Sequence, residues 1–411
     1  MNALGDIRGR AIWVILGCTL CQLGLAYGFV LSPLAGAMID ELGWSHAEYG
    51  TARSVQLLSM ALATPVAGFL ILRVGARRLC LASSALIGAS VLGMSGVESL
   101  WQFMALTALL GVGLAGIGDV TMGAVVAQWV ERGRGRALGF VYSGSNLGGF
   151  LFAPVAAWLA ATMGWRSALV WMAAGGALFL LPLGALLLRD PKPGEGAGSR
   201  RSEADTHAAE AESDHDLDLR DAVRTRSFWT LAFTLFSMFF FYVSMATHLV
   251  LFLENTGLDN QTASGWYGAA IGMGFVVKLV SGFVADLMSP KRAILLDQAL
   301  FSLSSLLALL VPATGFLQLF VVVYGVGTAA RSVVFPMAVA DCFGAKYLAK
   351  IYGVLNLALL PGGFLGPIFA GVVADRLGSY DPAFVCFAAL NLVSLGLLFG
   401  LRRERAATPE T

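Results

Sequence analysis

The chain has 411 residues, of which 57% are hydrophobic and 13% are charged. A soluble globular domain carries about 25% charged residues, so this composition excludes a soluble enzyme, a disordered chain and a coiled coil. The 26 acidic and 27 basic side chains nearly cancel, which gives no reason to expect nucleic acid as a partner. The five cysteines stand singly in apolar runs without metal-ligand spacing. We therefore expect a membrane protein without a cofactor or a metal.

About twelve apolar stretches are predicted to cross a membrane as helices, because spanning its ~30 Å hydrocarbon core takes about 18 or more apolar residues. The first six predicted spans are 11–38, 47–72, 79–97, 100–130, 136–161 and 166–187. The second six are 227–253, 263–288, 293–312, 315–342, 350–374 and 381–401. The predicted fold class is an all-α membrane protein.

The positions of Lys and Arg predict the orientation, since cytoplasmic loops are enriched in both. With both termini in the cytoplasm, most basic residues fall on the cytoplasmic side. The outer face and the membrane then hold Arg53, Arg166, Lys278, Arg331 and Arg376. We expect a multi-pass protein of the cell (inner) membrane, with a solvated cytoplasmic linker at 188–226.

An internal repeat relates the two halves of the chain. A shift of 214 residues superposes glycines, a glycine–phenylalanine pair and basic pairs of the first half on their counterparts in the second. The predicted domains are a six-helix bundle at 1–187, the linker at 188–226, and a second six-helix bundle at 227–411 with a short cytoplasmic tail. Repeats of this kind usually hold the substrate between them near the bilayer midplane.

Two loops carry the clearest motif. Gly68–Arg78 follows span 2, and Gly282–Arg292 is its repeat partner. Both resemble the signature loop of the major facilitator superfamily, with glycine first, an acid at the fifth place and a basic pair at the end. The resemblance implies a latch on the cytoplasmic side. Its expected gating residues are Asp286, Lys291, Arg292 and Arg77. The first copy has Leu72 at the place of the acid, so Asp286 is the only acid expected in the latch.

Four further segments narrow the resemblance. They are Leu42-Gly43-Trp44-Ser45, Trp129–Gly139, Arg226-Ser227-Phe228-Trp229 and Gly378-Ser379-Tyr380. This set is similar to the monocarboxylate transporter branch and its oxalate–formate relatives, which implies transport of small carboxylates, usually with a proton. Lys278 stands where that branch has its signature arginine of span 8. The span-8 acid and the span-1 lysine of the animal members are replaced by Gly274 and Leu31.

Three ionisable residues fall well inside predicted spans: Lys278 in span 8, Arg331 in span 10 and Asp119 in span 4. Charges inside a membrane are costly and usually functional. The resemblance implies that all three reach one central cavity. We expect Lys278 and Arg331 to hold a carboxylate and Asp119 to take a proton. The alternative is a structural Asp119–Arg331 salt bridge, with Lys278 extending toward a membrane surface.

Other polar residues are weaker candidates. Tyr27, Tyr142, Asn146 and His248 are expected to contact substrate, although hydrogen bonding between helices would explain each equally well. Arg53 is expected at the outer mouth. Gly111, Gly113 and Gly116 match a dinucleotide-binding pattern by spacing, but they lie in an apolar helix, where glycines allow close packing.

The predicted function is proton symport of a small monocarboxylate of the lactate or pyruvate type, by a functional monomer in the lipid bilayer. The expected partners are that substrate and protons. Exchange of an oxalate-type dicarboxylate, or transport of another small organic anion, remains open. A membrane sensor that signals through the linker is a further alternative. An intramembrane enzyme is disfavoured, because the four histidines are scattered along the chain and catalysis needs clustered groups.

Overall fold

The computed structural model describes residues 10–130, 134–189, 217–312, 315–344 and 347–404. These ranges form twelve long helical segments and contain no strand. The first half contains α1 Arg10–Leu42, α2 His46–Val74, α3 Ala76–Met94, α4 Leu100–Trp129, α5 Arg134–Met163 and α6 Trp165–Leu187. The second half contains α7 Arg226–Asn255, α8 Asn260–Leu287, α9 Pro290–Ala308, α10 Phe316–Phe343, α11 348–377 and α12 Asp381–Phe399.

Each segment coincides with one predicted span, and no bound differs by more than four residues. Eight of the described helices are long and apolar enough to cross a membrane. The bent pair Phe316–Arg331 and Val334–Phe343 makes a ninth. Helices α3 and α9 begin with basic pairs, which lower their mean hydropathy. The all-α membrane fold is confirmed.

The repeat found in the sequence reappears in the helix boundaries. The shift of 214 residues carries His46, the first residue of α2, onto Asn260, the first residue of α8. It also carries α3 onto α9, each of which is 19 residues long. Two copies of one helical pattern therefore build the chain.

Each half buries its own apolar residues. One cluster is formed almost entirely by the first half and includes Cys18, Phe103 and Leu169. Two further clusters are formed almost entirely by the second half, one around Phe241, which also includes Ala153, and one around Phe335. Helix α5 packs closely on α8, and α2 packs closely on α11. These two helix pairs join the halves on either side of the space between them.

The glycines of α4 are packing positions, as their place in an apolar helix predicts. A Cβ on Gly111 would lie 2.2 Å from the Gln56 carbonyl oxygen, and one on Gly116 would lie 1.9 Å from Ser83 Oγ. Helix α4 breaks directly after Gly116 and resumes at Asp119. The break places Asp119 at the start of a new helical segment in mid-span.

Candidate functional site

A cavity of about 260 Å³ lies between the halves, lined by α1, α2, α4 and α5 on one side and by α7, α8 and α10 on the other. Its charged lining residues are Arg53, Asp119, Lys278 and Arg331. Its uncharged polar ones are Gln56, Ser145, Asn146, Tyr242, Thr247, Tyr324 and Thr328. The three ionisable residues singled out from the sequence therefore share one cavity.

Lys278 reaches across from α8 to α5. Its Nζ donates hydrogen bonds to the Tyr142 carbonyl oxygen at 3.0 Å and to Ser145 Oγ at 3.3 Å. Asp119 and Arg331 line the same cavity as this ammonium group. Lys278 is thus held at the cavity wall, which differs from the alternative in which its side chain extends to a membrane surface.

Asp119 opens the second segment of α4, with its carboxylate in the first helical turn. Its Oδ1 accepts a hydrogen bond from Gln22 Nε2 at 3.1 Å. Its backbone carbonyl accepts a hydrogen bond from Tyr142 Oη at 3.0 Å. A helix N-terminus favours a negative charge, so this position suits an acidic side chain.

Arg331 lies at the bend of α10, and its guanidinium sits 4.6 Å from the centre of the Phe239 ring. Among the side chains that the structure describes, Asp119 and Arg331 form no ion pair within 4.0 Å. The structural salt bridge that the sequence left open is therefore absent from this conformation. A cation held on an aromatic face keeps its charge available to an anion.

Arg53 was expected at the outer mouth. In the structure it is only 7% exposed and lines the central cavity, which corrects that prediction. Its two terminal nitrogens donate to Gln56 Oε1 and to the Gly28 carbonyl oxygen. Its Nε is buried without a hydrogen-bond partner among the residues that the structure describes.

Asn146 lies on the cavity wall, where the sequence predicted a substrate contact. Its Nδ2 donates to the Ile271 carbonyl oxygen at 2.9 Å, and its Oδ1 is buried with no hydrogen-bond partner in the described part of the chain. A Cβ on Gly274 would lie 2.0 Å from Nδ2. Gly274 therefore leaves the space that Asn146 fills.

Two tyrosines that were expected to contact substrate, Tyr27 and Tyr142, are not among the residues that line the cavity. Tyr27 is 1% exposed inside the first half, donates to the Met172 carbonyl oxygen and packs on Phe152. Tyr142 touches the backbone of Asp119 and supplies a carbonyl to Lys278. Tyr27 is a helix–helix contact, and Tyr142 positions two charged residues.

His248 also lies outside the cavity lining. Its Nε2 donates to the Pro367 carbonyl oxygen at 3.0 Å, and its Nδ1 lies within hydrogen-bond distance of Tyr380 Oη, at 3.2 Å. In this conformation His248 joins α7 to α11 and to the start of α12, and its expected contact with substrate stays a prediction.

Three expected gating residues, Arg77, Lys291 and Arg292, are not among the residues that line the cavity. Lys291 donates to the carbonyl oxygens of Phe399 and Leu401, at 3.0 and 2.7 Å. Arg77 and Arg292 are exposed. The side chain of Asp286 lies outside the described residues. Lys291 thus binds the carboxyl end of α12, and the gating role of the four residues stays a prediction.

Polar neighbours that the sequence did not single out complete the site. Gln22 orients Asp119 and Gln56 orients Arg53. Both are amides inside apolar spans, which is the same signal that marked Asn146. Tyr242 faces the cavity from α7, and nothing in its local sequence separates it from the phenylalanines around it.

A family model of the Major Facilitator Superfamily matches residues 12–315 and 273–411. Monocarboxylate transporter 11 of Homo sapiens is 25% identical over 95% of this chain and 83% of its own length. An oxalate:formate antiporter of Oxalobacter formigenes is 23% identical over 96% of this chain and 92% of its own length. A bacterial homologue of the human lysosomal transporter Spinster, solved in an inward-facing and occupied conformation, shares the fold. Its TM-score is 0.72 at 15% identity, covering 97% of this chain and 99% of its own. The chain belongs to the Major Facilitator Superfamily, and its relatives confirm the resemblance to the monocarboxylate branch.

Proposed function

We propose that the protein carries a small monocarboxylate of the lactate or pyruvate type, together with a proton, across the cell (inner) membrane. The two halves would rock about the central cavity and open it to each side in turn. The protein would act as a monomer with both termini in the cytoplasm. Asp286, Lys291, Arg292 and Arg77 would close the cytoplasmic side.

One observation carries the proposal: Lys278, Arg331 and Asp119 line one cavity between the halves. In a low-dielectric cavity two cations attract an anion strongly. Arginine can hold a carboxylate with two parallel hydrogen bonds, while lysine acts as a point charge. A cavity of about 260 Å³ accommodates a molecule the size of pyruvate with space to spare.

Asp119 is the proposed proton site of this mechanism. It lines the same cavity as Lys278 and Arg331. Protonation would remove its negative charge and leave the neighbouring cations free to hold the carboxylate. The anion and the proton would then cross together, which limits the net charge moved through the membrane.

Arg53 favours a second candidate, exchange of a dicarboxylate. Three cations and one acid line the cavity, which leaves two net positive charges when all four are ionised. A doubly charged anion would neutralise them, whereas a monocarboxylate would leave one. The oxalate:formate antiporter among the relatives supports the same substrate class.

The test uses purified protein in liposomes that contain a pH-sensitive dye. Lactate, pyruvate, oxalate and an uncharged analogue are added outside in turn. We expect lactate or pyruvate to acidify the interior, and Lys278→Ala or Arg331→Ala to abolish the signal. Lys350→Ala is the matched control, because that exposed lysine lies on the ring of Tyr347, outside the cavity. Oxalate uptake that occurs only against internal oxalate, without proton flux, supports the second candidate. No response to any acid contradicts both.

A further inference from the structure

A buried acid in α9 plays no part in the mechanism above. Asp297 is 2% exposed, and both of its carboxylate oxygens are buried without a hydrogen-bond partner among the described residues. An unpaired charge in such a place is costly. A carboxyl group that persists there is stabilised either by a nearby cation or by a bound proton.

Arg331 is the cation that helix packing places beside Asp297. Helix α9 packs against α10, α12 and α7. A Cβ on Gly327 of α10 would lie 3.6 Å from the Phe301 backbone nitrogen of α9. Arg331 and Asp297 each lie one helical turn from that contact, on the same helix faces and at the same level of the two antiparallel helices. In this region α12 contributes Asn391 and Ser394, and α7 contributes Thr234. None of those three side chains titrates.

Arg331 is placed to serve two partners. It lines the central cavity, and it lies one turn from the Gly327–Phe301 contact that packs α10 on α9, at the level of Asp297. Helix α10 bends by 45° between its segments Phe316–Arg331 and Val334–Phe343, directly beside this arginine. A broken helix can change the direction of the side chain at its break through small backbone rotations.

We propose that Asp297 is a second proton-binding site and that Arg331 is shared between it and the transported anion. When an anion in the cavity draws Arg331 toward itself, Asp297 loses its stabilising cation and takes up a proton from water. When the anion leaves, Arg331 returns and the proton is released. The inference rests on the proposed function in that an anion occupies the cavity.

Thermodynamic linkage makes this coupling reciprocal. If the anion raises the proton affinity of Asp297, then protonation of Asp297 must raise the affinity for the anion by the same factor. The proton moves between solvent and the carboxylate, and no other group changes its bonds. The anion and the proton would thus be coupled without direct contact.

The first test is infrared spectroscopy of the purified, anion-free protein between acid and alkaline pH. The carbonyl stretch of a protonated carboxyl reports on Asp297, and Asp297→Asn identifies the band. We expect Arg331→Gln to extend this band to higher pH by at least about one unit, which is about tenfold in proton affinity. Asp381→Asn, at an exposed acid in the first turn of α12, is the control. If the band has the same pH dependence in Arg331→Gln as in the wild type, the proposal is overturned.

The second test adds pyruvate to weakly buffered protein and follows proton uptake with an indicator. In an Asp119→Asn background we expect uptake to continue, and we expect the further change Asp297→Asn to abolish it. Uptake that Asp119→Asn removes completely contradicts the second site. If pyruvate does not bind but Arg331→Gln shifts the infrared band, the Asp297–Arg331 pair stands and the proposed substrate is wrong.

Discussion

Asp375 in α11 binds His46, the first residue of α2, across the two halves of the protein. One carboxylate oxygen accepts hydrogen bonds from the His46 backbone N–H at 3.0 Å and from its Nδ1 at 2.8 Å. The other accepts a hydrogen bond from the Ala47 backbone N–H at 2.8 Å. An acid at a helix N-terminus is stabilised by the helix dipole. This contact holds the halves together at the end that the predicted topology places outside.

The contact predicts a shift in conformation when the charge is removed. Asp375→Asn keeps the size of the side chain but loses charge-assisted hydrogen bonds, each contributing about 1.5–3 kcal/mol. We expect the outer side to open more often. A cysteine placed at Thr247 on the cavity wall should react at least about tenfold faster with an impermeant maleimide added outside cells. Asp381→Asn should leave the rate unchanged. An unchanged rate in Asp375→Asn would contradict the role of this contact as an outer latch.

The close contact between Gly274 and Asn146 makes a substitution of Gly274 unusually destabilising. In Gly274→Ala the new methyl group collides with Asn146 Nδ2, so we expect a lower melting temperature and slower transport. Gly265→Ala in the same helix is the matched control, because its Cβ would meet nothing within 4 Å. That change should be neutral or stabilising by up to about 1 kcal/mol. The double change Gly274→Ala with Asn146→Ala should recover stability. Equal melting temperatures for the two single variants would show that the close contact is unimportant.

Replacing His248 is expected to lower the stability of the protein without lowering its affinity for substrate. His248→Leu leaves the buried Tyr380 hydroxyl without this partner and removes a second hydrogen bond from the Pro367 carbonyl oxygen; an unpaired buried polar group costs about 1–3 kcal/mol. We expect the thermal midpoint to fall while the KM for substrate stays within about twofold. The measurement pairs thermal unfolding with initial rates at equal amounts of folded protein. A large rise in KM at an unchanged midpoint would restore the direct role that the sequence predicted.

Arg53 is expected to contribute more to the binding of oxalate than to that of pyruvate. Arg53→Gln removes one of the three cavity cations, so we expect the affinity for oxalate to fall at least about tenfold and that for pyruvate by about threefold or less. Competition against a labelled substrate gives both values. Arg166→Gln, which loses a charge paired with Glu41 outside the cavity, should change neither. A loss shared equally by the two anions would remove the argument for a dicarboxylate.

The helices could be predicted from the sequence because membrane spans leave a long apolar signal, and the repeat could be predicted because 214 residues separate matching loops. Lys278, Arg331 and Asp119 could be predicted as cavity residues because a charge within a span is rarely incidental. The same reasoning applied to Arg53 gave the wrong depth, since a position a few residues into a span does not reveal which way the helix tilts.

The remaining site residues depend on packing that no local pattern records. Tyr27 and His248 were expected to contact substrate, but each hydrogen-bonds a backbone carbonyl on another helix. The two carboxylate oxygens of Asp297 are buried without a hydrogen-bond partner among the described residues, and only the three-dimensional structure shows this. A polar residue in a span thus identifies a hydrogen bond that must be made, while the fold determines its partner.

The proposed function requires that the cavity between the halves bind the transported carboxylate through Lys278 and Arg331. Isothermal titration of purified protein with pyruvate, lactate and oxalate tests it most directly. The wild type is compared with the double variant Lys278→Gln with Arg331→Gln, and with Lys350→Gln as control. We expect the wild type and the control to bind one of the acids equally. The double variant should bind it at least about 100-fold more weakly, because two charged hydrogen-bonding groups are lost. A folded double variant that retains wild-type affinity would contradict the account.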